Sequence, residues 1–171
     1  KQLQQKKPSG YESVVYAWGR LALLTKNKTE FTLDTQLKSV KQAIQEGTLQ
    51  YFAVANPQHA PYGLAAKQAL QYLGIWQSIQ PHIVLGENVA QAAQFTVSGA
   101  AQMGLVSYSL ALAPAVQKNT RFVLIPQTSH QALEQTALLL NHKKATARQF
   151  YDYLQQDKAR TILERYGYMT L

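Results

Sequence analysis

Two stretches of this sequence set a short apolar run just ahead of a helical pattern: Tyr51 to Ala55 followed by Pro61, and His82 to Gly86 followed by Asn88. In open α/β sheets ligands gather beyond the carboxyl ends of strands, so chemistry belongs in the turns after Ala55, after Gly86 and after Met103 to Ser107. Two of these turns run straight into helices. A helix start presents backbone N–H groups that lack acceptors within the helix, together with the positive end of the helix dipole. Such a start binds an anion without any charged side chain. The amides near Tyr62 and Gly63, and near Val89 and Ala90, are therefore candidate anion donors.

Other chemistries find less support. The histidines His59, His82, His130 and His142 show no paired spacing of the zinc-binding kind. Glu87-Asn88 ahead of a helix reads as a capping pair more readily than as a carboxylate site. Neither Ser98-Gly99 nor Ser107 carries the flanking glycines of a nucleophile elbow, and no Walker lysine or G-x-G-x-x-G is present. The absence of cysteine excludes disulfides, thiolate metal sites and cysteine nucleophiles together. An enzyme reading has no residues to rest on, and neither a cofactor nor a metal site is expected.

The elements that must position the two junctions follow from periodicity. Ser13 to Trp18 and Leu21 to Thr25 read as strands. Asp34 opens a helical stretch with Leu37, Val40 and Ile44 on one face, and Gly47 stops it. A helix from Pro61 carries Ala66, Ala69, Leu70 and Leu73 and ends at Gly74, and a helix capped by Asn88 carries Val89, Ala92, Ala93 and Thr96. Arg121 to Ile125 and Thr136 to Leu140 read as further strands. In the closing helices Ala147, Phe150, Tyr151 and Leu154 align, as do Ala159, Ile162, Leu163 and Tyr166, and both stripes are expected in the core. This alternation predicts an α/β fold with a parallel-core sheet.

With 171 residues, 46% hydrophobic and 15% charged, the chain is long and apolar enough to bury a real core. A net charge of +8 attracts anionic partners. The basic clusters at Lys6-Lys7, Lys26 to Lys28 and Lys143-Lys144 are scattered and lack interleaved aromatic residues, so no nucleic-acid partner is expected. No apolar run approaches the ~18 residues of a membrane span.

The stretch Ala55-Asn56-Pro57-Gln58-His59-Ala60-Pro61-Tyr62-Gly63, with Leu73-Gly74-Ile75-Trp76 after it, resembles the periplasmic molybdate-binding proteins of ABC transporters. Gly86-Glu87-Asn88-Val89, Gln94-Phe95, Ser98-Gly99 and Gly104-Leu105-Val106-Ser107 follow in that family's order and spacing. So do Glu134-Gln135-Thr136-Ala137 and Arg165-Tyr166-Gly167-Tyr168, and Tyr16 to Leu23 looks like the family's strand leading to its first lobe crossing. The resemblance covers nearly the whole chain from about Val14.

It implies a type II periplasmic-binding fold of two α/β lobes, with residues 1–33 in the first lobe, 34–125 forming the second, and 126–171 carrying the return crossing and the first lobe's C-terminal helices. It implies a receptor that holds a tetrahedral oxyanion, molybdate or tungstate, in an interlobe cleft for an ABC importer's membrane permease, in the periplasm or lipid-anchored outside the cytoplasmic membrane. The family's contacts fall on Tyr62 and on the amide of Val89. Some members use a tyrosine at the position of Ser107, beside which Tyr108 stands here. The family's βαβ segment with Ser/Thr ligands has no counterpart before Lys1, so the first lobe is expected to be incomplete, with weakened binding and an apolar surface that invites a second copy. The alternative on this fold is the ligand-sensing domain of a transcription regulator.

Overall fold

The computed structural model describes residues 11–171. The polar opening from Lys1 to Pro8, including Lys6-Lys7, lies outside the described residues. The chain divides into two compact units: Gly19–Leu133, and residues 11–18 together with Glu134–Leu171.

In the smaller unit, strand β1 (Glu12–Gly19) pairs with the late strand Leu133–Leu139. Beyond that strand come the helices Ala145–Tyr153 and Asp157–Arg165. Arg148 ties this unit together, bonding both carboxylate oxygens of Glu12 at 2.8 Å and Asp152 at 3.0 Å. Trp18 and Met169 exchange backbone hydrogen bonds. The two apolar stripes expected in the core are mostly outside it. Tyr151 and Ala159 are buried, but Phe150 is 62% exposed, Tyr166 61% and Ile162 45%. A helical period identifies a face, and here only part of each face meets other residues of the chain.

The larger unit holds the sheet. After β1 come β2 (Leu21–Lys26), α1 (Lys38–Gln45), β3 (Phe52–Ala55), α2 (Pro61–Tyr72), α3 (Trp76–Ile79), β4 (Ile83–Gly86), α4 (Val89–Ser98) and β5 (Met103–Ser107). The short helices α5 (Tyr108–Ala111) and α6 (Pro114–Gln117) and the strand β6 (Thr120–Leu124) follow. The late strand and the two closing helices of the smaller unit are β7, α7 and α8. Five strands run in the order β4-β3-β5-β2-β6. β3 is parallel to both β4 and β5, whereas β2 lies antiparallel between β5 and β6. The parallel core expected from the sequence is thus three strands wide. β2 and residues 126–133 pack with this unit, so the division falls at residues 18/19 and 133/134, while the resemblance placed it at 33/34 and 125/126.

Strand alternation sorts the side chains onto two faces. Leu21, Leu23, Phe52, Val54, Met103 and Leu105 meet Ala66, Ala69 and Leu70 of α2 and Val40 of α1. Ala22, Leu24, Ala53 and Val106 point the other way, toward Ala92 and Ala93 of α4. Residues such as Phe52, Leu23 and Leu70 are fully buried, and each contributes about 1.5–3 kcal/mol by leaving water. Sequence punctuation sets the helix ends. Pro61 opens α2, and Gly74 and Gly99 take positive φ just past α2 and at the end of α4. Asp34 accepts N–H bonds from Gln36, Lys38 and Ser39 and so starts α1.

Candidate functional site

From β3 the chain crosses through α2 to β4 on one side, then returns through α4, past β3, to β5 on the other. The two crossovers leave opposite faces of the sheet. A reversal of this kind opens a crevice beyond the carboxyl ends of the strands at the switch point. The residues at that edge are Asn56 to Gly63 after β3, Glu87 to Ala90 after β4 and Ser107-Tyr108 after β5. The antiparallel β2 starts there too, with Leu21 opposite Ser107, which brings Gly19 and Arg20 to the same edge.

Each helix start is pressed against the strand before it. A Cβ on Gly63 would lie 2.2 Å from the carbonyl oxygen of Ala55, and one on Gly86 would lie 2.7 Å from the amide nitrogen of Ala92. Only glycine allows both approaches. The loops are also tied to one another: the Asn56 amide donates to the Gly86 carbonyl at 2.8 Å. The His59 ring nitrogen Nε2 lies 3.1 Å from the Glu87 carbonyl oxygen and 3.4 Å from the Glu87 carboxylate.

At α4 the capping is reciprocal. The Asn88 side chain accepts from the Gln91 amide at 3.0 Å, and the Gln91 side chain accepts from the Glu87 amide at 2.6 Å. The Ala92 amide already donates to the Asn88 carbonyl. The amides of Val89 and Ala90, the first two residues of α4, remain at the helix tip with no acceptor inside the helix. At α2, Ala60 offers no capping side chain and Pro61 has no N–H, so Tyr62 and Gly63 carry the first amides of the helix. The edge is thus built of neutral donors at the positive ends of two helices of twelve and ten residues.

The expected contacts fare differently. Tyr62 and Val89 both stand at this edge, on the α2 and α4 faces of the sheet. The Tyr62 ring reaches across to Gly19, the last residue of β1, where a Cβ would meet its hydroxyl at 2.2 Å. Ser107 is at the edge but only 2% exposed. Its hydroxyl oxygen accepts from the Leu110 amide at 3.3 Å and lies 3.2 Å from the Ser109 hydroxyl, which makes it the cap of α5. Tyr108 packs its ring against Phe122 at 5.4 Å and beneath the Arg20 guanidinium at 5.6 Å.

Sequence reasoning passed over the His59–Glu87 tie, Gln91 as a cap partner, and Arg20. Asn88 and Gln91 stand three apart, as in a capping box, and that spacing was available as a signal. Nothing local signals Arg20, because its position depends on the antiparallel insertion of β2. Among the described residues no group of three His, Asp or Glu could hold a metal ion. No helix among them is long and apolar enough to cross a membrane.

A doubly wound unit that turns backbone donors toward its switch point has the build of a ligand receptor. The chain belongs to the bacterial extracellular solute-binding protein family, whose model matches residues 1–169, and it has a type II periplasmic-binding-protein-like fold. It is 35% identical over 141 residues to the molybdate-binding protein ModA of Escherichia coli K12, covering 81% of this chain and 52% of that protein. It is 31% identical over 157 residues to the ModA of Rhodobacter capsulatus, covering 91% of this chain and 58% of that protein. In three dimensions it matches the periplasmic molybdate-binding protein of Azotobacter vinelandii with a TM-score of 0.79 and 29% identity, over 99% of this chain and 72% of the other. The chain therefore spans little more than half the length of these curated relatives.

Proposed function

We propose that this chain is a receptor, not an enzyme, for a fully deprotonated tetrahedral oxyanion, molybdate or tungstate, and that it serves the membrane permease of an ABC importer from outside the cytoplasmic membrane, in the periplasm or anchored by lipid. The observation that carries this reading is the meeting of two helix starts, Tyr62-Gly63 and Val89-Ala90, at one sheet edge. The names of the relatives support the choice of ligand and of compartment. In this reading Tyr62 and Val89 contact the anion, while Ser107 serves it indirectly by starting α5.

The chemistry of the donors supports molybdate over phosphate. Molybdate and tungstate have no proton at neutral pH, so a shell of N–H and O–H donors satisfies them. Hydrogen phosphate brings a proton that needs an acceptor, and leaving it without one costs about 1–3 kcal/mol. Glu87 is the carboxylate in the two junctions, and it is 80% exposed beside His59.

The test is calorimetric titration with sodium molybdate, sodium tungstate and sodium phosphate. Saturable binding of the first two, with phosphate at least about fivefold weaker, is the expected result. Equal or tighter binding of phosphate, or no saturable binding of molybdate, refutes the reading. The regulator alternative draws no support from the family match. The exposed Phe150, Ile162 and Tyr166 favour association of two copies through the smaller unit, which sedimentation at increasing concentration tests. A sedimentation coefficient that stays monomeric throughout removes that part.

A further inference from the structure

Among the described residues Arg20 is a cation with no counter-ion at the edge where the helix starts meet. Its carbonyl accepts the Tyr108 amide at 2.8 Å, which fixes its backbone at the mouth of β5. Its side chain shares the α4 face of the sheet, since Ala22 and Leu24 point there and Arg20 keeps their period. The guanidinium lies over the Tyr108 ring at 5.6 Å, and Val89 and Tyr108 pack against the same cluster. No carboxylate pairs with Arg20 among the described residues, and its Nε is shut off from water with no hydrogen-bond partner. An aromatic face holds the charge in place, then, and no described carboxylate neutralises it.

The tip of α4 is the positive end of a helix on this same face and edge. Two positive features on one face and edge raise the potential for an anion there, while Glu87, the carboxylate of these junctions, is 80% exposed beside His59. We propose that Arg20 is a charge-compensating residue that makes this edge select dianions over monoanions; the inference rests on the oxyanion-receptor reading above. The amides respond to the charge of the ion through partial charges alone. A nearby guanidinium adds a full unit charge, whose Coulomb attraction is proportional to the charge of the ion and so widens the difference between dianion and monoanion.

The test compares molybdate with perrhenate, a tetrahedral oxyanion carrying a single charge, on the full chain. Affinities come from amide shifts in titrations of the parent and of Arg20→Met, Arg20→Gln and Arg20→Lys, each checked for folding by its thermal transition. The neutral variants are expected to lose about tenfold in molybdate affinity and about threefold for perrhenate, since half the ionic charge gives half the logarithm. Arg20→Lys keeps the charge and is expected to stay within about twofold of the parent for both ions.

Equal losses for the two ions in the variants that fold mark a structural role and overturn the proposal. Unchanged affinities in Arg20→Gln overturn it too. A parent that binds neither ion overturns the receptor reading and the inference with it, whereas a parent that binds molybdate with a selectivity indifferent to Arg20 overturns the inference alone.

Discussion

Replacing Val89 by proline removes one N–H and leaves its surroundings nearly intact, which isolates the backbone donor from everything else at the site. Val89 is the first residue of α4, the helical position where proline is tolerated because no intrahelical bond is lost. The preceding residue must be extended before a proline, and Asn88 already is, at φ −146° and ψ 174°. The Asn88–Gln91 cap does not use the Val89 amide. The expected cost to folding is therefore under about 1 kcal/mol, mostly from the reshaped side chain against the Ala22 and Ala93 cluster. The expected cost to binding is that of a hydrogen bond to a charged acceptor, about 1.5–3 kcal/mol, or roughly ten- to 150-fold in affinity. Molybdate titration and thermal unfolding of the same preparations give both quantities. A Val89→Pro protein that folds and binds molybdate as well as its parent removes the Val89 amide from the site.

Three further outcomes follow from the geometry. Gly63→Ala drives a methyl to 2.2 Å from the Ala55 carbonyl, so α2 must move by about 1 Å at its start; a stability loss of about 1–3 kcal/mol and weakened anion binding are expected, and an unaltered thermal midpoint contradicts the close-approach argument. For Asp34, burial opposes ionisation, but the backbone N–H groups of Ser39, Lys38 and Gln36 outweigh it and hold the carboxyl below its ordinary value of 3.8. Its stabilising charge is therefore complete above that ordinary value and is lost as pH falls through the lower folded one, so Asp34→Asn lowers stability by about 1 kcal/mol at neutral pH and flattens the acid limb below about pH 4, as denaturant titrations at stepped pH would show. Phe150→Ser, at a side chain 62% exposed, changes the unfolding free energy by under about 0.5 kcal/mol, and a loss of several kcal/mol returns that stripe to the core.

Local chemistry made much of this protein legible in its sequence. Asn88 before an apolar-periodic run specified the start of α4, Pro61 and Gly74 bracketed α2, and the uninterrupted run Met103 to Ser107 is the strand observed. The two helix starts could be named because capping residues and proline act within a few positions of themselves. Long-range relations were less legible. Leu21 to Thr25 is plainly a strand, but nothing within it says that it inserts antiparallel between β5 and β6 in the larger unit. Ser107 read as the last residue of a strand, and its commitment as a cap rests on a helix of four residues, too short for a periodic signal. The stripes with Phe150 and with Ile162 and Tyr166 show the same limit, since periodicity fixes which side chains share a face but not what that face meets.

In the proposed receptor, backbone amides at two strand-to-helix junctions hold one oxyanion. Titrating the uniformly 15N-labelled chain with molybdate while following its amide resonances addresses this directly. Saturable shifts with a common binding constant at Gly63, Val89 and Ala90, and little change along α1 or β6, are the predicted result. Shifts confined to the amides around exposed lysines, or different binding constants at the two junctions, would contradict it.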